Sequence, residues 1–124
     1  MIRILKMGEL RTAEAGDCFV AREAPLDSLM VIYFGLAGIR LDGEVVGELV
    51  PGQFIGSISF ITDEASPADF VALDTTSYIV WPKERLKRHL EKDPELRAAI
   101  QVTLSRDLTD RVRASWNRIR NGGL

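Results

Sequence analysis

The residues that bring polar chemistry onto one short stretch are Gly56, Ser57, Ile58 and Ser59, followed by a second polar turn at Ser66 and Ala68. They sit inside Gly47–Leu73, where a Pro51-Gly52 turn ends one apolar run and another begins at Phe70. A small-residue turn that opens a helical piece can aim successive backbone N–H groups at an anion. Ser57, Ser59 and Ser66 would add neutral hydroxyl donors, so the candidate ligand is a small anion. The same residues also read as a tight structural turn, and the sequence leaves both readings open. Asp63, Glu64 and Asp69 place negative charge beside the turn, which would oppose a phosphate.

Other chemistry has little to work with. A metal-dependent barrel enzyme needs two or three converging His, Asp or Glu ligands. The sole histidine, His89, falls on a helical segment and reads as a surface or half-buried packing residue. With His89 on that helix and Cys18 in a strand, His/Cys nucleophile chemistry has no candidate pair. Asp63-Glu64 reads as a solvated acidic pair rather than an acid–base couple. The expectation is therefore a non-enzyme with no catalytic residue, no metal and no obligatory cofactor. Cys18 is the only cysteine, which excludes an internal disulfide. It reads as a half-buried structural thiol. Trp81 and Trp116 read as packing residues. No apolar run is long enough to span a bilayer, and Met1–Gly8 is too short for a signal peptide. A cytoplasmic domain is expected, with any membrane attachment supplied by segments outside this chain.

The elements that must hold the polar turn are mostly strands. At 124 residues one domain is expected, spanning 1–124. Ile2 and Ile4 suit a strand or the end of a short helix equally well. From Leu10 to Val80 the pattern is β, with strands at Cys18–Ala21, Met30–Phe34, Ala37–Leu41, Glu44–Leu49, Phe70–Leu73 and Ser77–Trp81. Met30–Phe34 reads as fully buried. Asp42-Gly43 is the strongest hairpin signal, because the pair suits the positive φ angles of a type I′ turn. Seven or eight short strands with closely spaced turns predict a jelly roll or other small barrel over about 9–81. Pro82 closes it, and helices are expected over about 82–120. Lys83–Glu91 forms the first, with Leu86 and Leu90 on one face. Asp93-Pro94-Glu95 is a second helix start.

The last helix carries Leu96, Ile100, Leu104, Leu108, Val112 and Trp116 at intervals of four. Each step turns about 400°, so the stripe drifts by roughly 40° per step and about 200° over its length. One flat surface cannot cover it. Leu96, Ile100 and Leu104 are expected against the barrel, and Leu108, Val112 and Trp116 against a second copy of the chain. The charge is also divided. Residues 1–82 hold five Lys/Arg and twelve Asp/Glu, whereas residues 83–124 hold eleven and six. The basic residues spread around the last helix among Asp107 and Asp110, and no helix-turn-helix follows within this chain, so it carries no DNA-binding element.

The order of elements, two glycine-marked turns, Asp27 before the third strand, Pro51-Gly52-Gln53-Phe54-Ile55-Gly56 and a terminal helix pair resemble the cyclic nucleotide-binding domain over roughly Leu10–Arg113. Three segments are similar to its Popeye branch and bacterial relatives. Phe54-Ile55-Gly56-Ser57-Ile58-Ser59-Phe60 is similar to that branch's Phe-Ile-Asp-Ser-Pro-Glu, Trp81-Pro82-Lys83-Glu84-Arg85-Leu86 to its Trp-Ser-Arg-Glu-Arg-Leu, and Ser105-Arg106-Asp107-Leu108-Thr109-Asp110 to its Gly-Lys-Asp-Ile-Thr-Asn. The resemblance implies a mainly β, double-stranded β-helix (jelly-roll) barrel with C-terminal helices, and a regulatory domain that takes a cyclic nucleotide such as cyclic AMP. In that family a glutamate and an arginine of the phosphate cassette hold the ribose and the cyclic phosphate. Here the glutamate position holds Ser57, and the arginine position falls at or near Ser66. The acidic positions of the Popeye variant hold Gly56 and Ser59. The expectation is a sensory or regulatory domain with a degenerate cassette and weak, altered or absent nucleotide binding. The alternative is a dimerisation or protein-interaction module that has lost its ligand.

Overall fold

The computed structural model describes residues 7–107. Eight strands make two four-stranded antiparallel sheets. The strands are β1 (Glu9–Ala13), β2 (Cys18–Val20), β3 (Ser28–Phe34), β4 (Ala37–Leu41), β5 (Glu44–Leu49), β6 (Phe54–Ile55), β7 (Asp69–Ala72) and β8 (Thr76–Pro82). One sheet runs β1-β8-β3-β6 and the other β2-β7-β4-β5. This is the predicted jelly roll. Helix α1 (Ser57–Thr62) lies between β6 and β7, and α2 (Lys83–Glu91) follows β8. A third helix, α3, occupies 94–107 among the described residues.

The sheet that carries β3 and β8 is buried on both faces. Along β3, Met30 and Ile32 join a core between the sheets with Ala37, Leu49, Ile55, Phe70 and Val80. Leu29, with Val31 packed beside it, faces the opposite way, into a core with Phe54, Phe60, Trp81 and the helices. Side chains alternate across a strand, so a continuous apolar run such as Leu29–Ile32 serves both cores at once. The helix side of this second core is made by Leu86, Leu90, Leu96, Ile100 and Leu104. The first half of the drifting stripe is thus packed on the barrel. Leu108, Val112 and Trp116 lie outside the described residues.

Local signals behave as their chemistry dictates. Asp42 and Gly43 both have positive φ (52° and 83°) at the β4–β5 turn. The Asp93 carboxylate accepts from the Leu96 N–H at 3.1 Å and caps α3. Two expectations need correction, and one strand was missed. Cys18 is exposed, not half-buried. It begins a three-residue edge strand, and its neighbour Phe19 takes the inward position, edge-on to Tyr78 at 4.9 Å between ring centroids. The strand at Met30–Phe34 is not buried throughout. The β3–β8 register shifts between Ile32 and Phe34, and Tyr33 and Phe34 stand 65% and 68% exposed. Strand β6 is only two residues long, too short to leave a periodic signal.

Candidate functional site

Helix α1 and the loop after it form the candidate cassette. Both ends of α1 turn through left-handed backbone. Gly56 enters at φ 93° and Asp63 leaves at φ 61°. A side chain at Gly56 would meet Leu26, whose Cδ1 is 2.6 Å from an ideal Cβ position. Leu26 thus covers the glycine from the barrel side. Ser57 and Ser59 are buried, whereas Ile58 and Ile61 are exposed.

Two of the three hydroxyls first considered as ligand donors, those of Ser57 and Ser66, have partners inside the protein. Ser57 Oγ donates to Asp107 Oδ2 on α3 at 3.0 Å. Ser66 Oγ donates to the Ala68 carbonyl at 2.7 Å. Main-chain bonds further fix Ser66: its N–H donates to the Ala24 carbonyl at 2.9 Å, and its carbonyl accepts from Glu23 at 2.7 Å. Ala68 is buried beside it. The structure therefore brings Gly56, Ser57 and Ser59 together at the start of α1, and it holds Ser66 and Ala68 in the closing loop.

Two of the three acids around the loop, Asp63 and Asp69, are paired with nearby bases. Asp63 pairs with Lys83 at 2.8 Å and with Lys87. Hydrogen bonds from Lys83 and then Lys87 pull its pKa down from 3.8 to about 2. Asp69 accepts from the Arg22 N–H at 2.7 Å and pairs with Arg40 at 3.5 Å. The Arg22 hydrogen bond is the larger cause of its lowered pKa, with Arg40 adding to it. Sequence reasoning missed Lys83, Lys87 and Asp107 as members of this site. Lys83 and Lys87 do lie four apart on one helix face, a spacing that suits a shared acid, but nothing in the sequence says which acid.

A measurable pH dependence follows. A depressed carboxylate pKa contributes stability that is complete above the unfolded-state value and is lost as pH falls through the folded-state value. Asp63→Asn, which tolerates the left-handed cap, should lower the urea midpoint at neutral pH. The gap to the parent protein should narrow as pH falls from about 4 to about 2. A gap that stays constant across this window would show that the Lys83–Asp63–Lys87 pairing contributes nothing.

Among the described residues, cavities lie on either side of the cassette. The larger, about 480 Å³, opens where α1, α2 and α3 meet, with Phe60, Leu90, Ile100 and Leu104 as its apolar wall and Lys87 and Arg97 beside them. The smaller, about 150 Å³, lies beside Leu26 on the barrel side and includes Phe19, Ser28, Met30 and Tyr78. His89 is half-buried on α2, away from any acidic or cysteine cluster. Among the described residues no group of three or more His, Cys, Asp or Glu is placed to hold a metal ion. No helix among them is long and apolar enough to cross a membrane.

Comparison with known proteins agrees with the geometry. The chain is 27% identical over 122 residues to the Pycsar effector protein XpPycTIR of Xanthomonas perforans, covering 95% of this chain and 40% of that protein. It is 29% identical over 111 residues to the transcriptional activator protein anr of Pseudomonas aeruginosa, covering 87% and 43%. The chain thus spans about two-fifths of the length of these relatives. Among solved structures, a cyclic nucleotide-binding domain from Methylobacillus flagellatus superposes with a TM-score of 0.84 at 24% identity, over 94% of this chain and 68% of that one. The family profile described as "Cyclic nucleotide-binding domain" matches residues 10–93. With strand order, cassette position and terminal helices all in agreement, the chain belongs to the cyclic nucleotide-binding domain family.

Proposed function

We propose that this chain is a non-enzymatic regulatory domain whose cassette no longer holds a standard cyclic nucleotide at ordinary affinity, and whose output is the placement of the helices after Pro82. The observation that carries this reading is the internal use of two cassette hydroxyls at the positions that matter most, Ser57 on Asp107 and Ser66 on Ala68. In the family, a glutamate and an arginine stand near these positions. An Arg–phosphate contact is charge-assisted and bidentate. Losing one partner of such a pair costs about 2–5 kcal/mol, or roughly thirtyfold to several-thousandfold in affinity. Neutral serines engaged elsewhere do not restore it. Titration calorimetry with cyclic AMP, GMP, CMP and UMP tests the reading. The expected result is no saturable heat up to millimolar ligand, and saturation at micromolar concentration would overturn it.

The Popeye-like relation within the family is part of this proposal, supported by the Trp81–Leu86 and Ser105–Asp110 segments. So are the single-domain extent of 1–124, a cytoplasmic setting and a homodimer through Leu108, Val112 and Trp116. The dimer reading is supported by the first half of the stripe. Leu96, Ile100 and Leu104 are already covered by the barrel, and the later residues drift away from that face. A protein-interaction module that uses this surface alone, without a ligand, is the second reading.

A further inference from the structure

The recess of about 480 Å³ between α1, α2 and α3 has chemistry of its own. Its floor is apolar. Phe60 comes from α1, Leu90 from α2, and Ile100 and Leu104 from α3, and all four are buried. Ile61 lines the same recess yet stands 47% exposed. Gly56, Ser57, Ser59 and Ser66 do not line it, so it is separate from the polar turn. The rim is charged, and its two sides differ. On the α2 side Lys87 is already engaged: its ammonium pairs with Asp63 and lies 5.6 Å from the centre of the Phe60 ring. Glu91, one turn further along, adds a negative charge there. On the α3 side stand Arg97 and, one turn on, Gln101, both exposed. Among the described residues the Arg97 guanidinium has no ion-pair or hydrogen-bond partner.

We propose that this recess binds a small amphipathic carboxylate, an alkyl acid of medium chain length, with its chain on the apolar floor and its carboxylate at Arg97. The volume falls within the range usual for small-molecule sites. The floor offers no polar side chain, so the body of the ligand must be apolar, and each methylene it takes from water strengthens binding roughly fourfold. The guanidinium is planar and matches a carboxylate with two parallel donors. Glu91 on the facing helix favours a single negative charge over a dianion such as a phosphate monoester. A cationic amphiphile would meet Arg97 and Lys87 together. This assignment goes beyond the regulatory reading and does not depend on the state of the cassette.

Titration of the full chain, followed by ¹H–¹⁵N NMR, tests the site with hexanoate, octanoate and decanoate as the ligands. Shift changes should saturate below millimolar decanoate and centre on 60–61, 87–91 and 97–104. Affinity should rise roughly fourfold per methylene along the series. Octylammonium should bind more weakly than octanoate. Arg97→Glu should weaken octanoate by about threefold to thirtyfold and leave 1-octanol within about twofold, because only the charged head touches that residue. Gln101→Trp, at an exposed rim position, should obstruct the recess and weaken all of these ligands. Both variants should keep the parent's urea midpoint, and if Gln101→Trp does not fold, Arg97→Glu and the chain-length series decide. No saturation with millimolar decanoate would overturn the proposal. So would shifts centred elsewhere, affinity independent of chain length, or equal loss of octanoate and octanol in Arg97→Glu. The chain's own C-terminal residues are the competing occupant. Trp116→Ala binding octanoate about tenfold more tightly than the parent would assign the recess to them and overturn the proposal. Cyclic nucleotide binding at micromolar concentration would sink the ligand-free reading above and leave this site standing.

Discussion

Replacing Gly56 with alanine is expected to destabilise the domain by about 2–6 kcal/mol. Two costs combine. The backbone at φ 93° is a conformation that side chains rarely adopt, worth about 1–3 kcal/mol of strain. The new Cβ would also lie 2.6 Å from Leu26 Cδ1, in a side chain that is itself buried in the helix-side core. Moving Leu26 overpacks that core for about another 1–3 kcal/mol. Gly52 supplies the control. Its φ of 92° is nearly the same, but a Cβ there meets nothing within 4 Å. Gly52→Ala should therefore show the backbone cost alone. Urea unfolding followed by circular dichroism would read both as midpoint shifts at unchanged slope. Equal shifts for the two variants would mean that Leu26 yields freely and that the cassette entrance is looser than its packing implies.

Leu104→Ala should cost about 2–5 kcal/mol, the range for emptying a fully buried leucine site. Leu104 is 1% exposed and shares its core with Phe54, Phe60, Trp81, Leu86 and Ile100. Domains of this size carry roughly 5–15 kcal/mol in total, so one truncation removes a large share. The effect would also be felt in the cassette. Leu104 lies one helical turn before Asp107, and Phe60 of α1 packs in the same core. Val102 on the exposed face of α3 is the comparison. It is 57% exposed, and Val102→Ala should shift stability by no more than about 0.5 kcal/mol. The same denaturation measurement decides. A Leu104→Ala midpoint within error of the parent would show that α3 is not part of the cooperative unit, and the coupling of α3 to the cassette would lose its structural basis.

These two sites mark how far the residues alone could be read. Gly56 is recognisable from its setting, between an apolar pair and a short helical piece after Pro51-Gly52. Its need for a missing side chain is not, because Leu26 lies thirty positions away and meets it only through tertiary packing. Leu104 is legible as one step of a four-residue stripe, and the drift of that stripe says that only part of it can face the barrel. Cys18 was misjudged for a related reason. Periodicity marks its strand but not which face is inward, and the edge position of β2 settled the matter in favour of Phe19. The pairing of Asp63 and Asp69 was missed because sequence shows acids close together and hides the bases that reach them, Lys83 and Lys87 from a later helix and Arg22 and Arg40 from earlier segments.

Local chemistry, then, belongs to the sequence by itself. The Asp42-Gly43 turn, the strand rhythm, the helix start at Asp93 and the order of elements all follow from interactions within a few residues, and that order is enough to point to the family. The tertiary structure decided what the cassette does with its polar groups. Ser57 finds Asp107 across fifty positions, and Asp63 finds Lys83 and Lys87 across twenty and twenty-four. Such contacts depend on where the chain returns after building two sheets, and no local pattern encodes that geometry. The sequence at Ser57 says only that an uncharged residue stands there; the fold shows its hydroxyl turned toward Asp107 on α3.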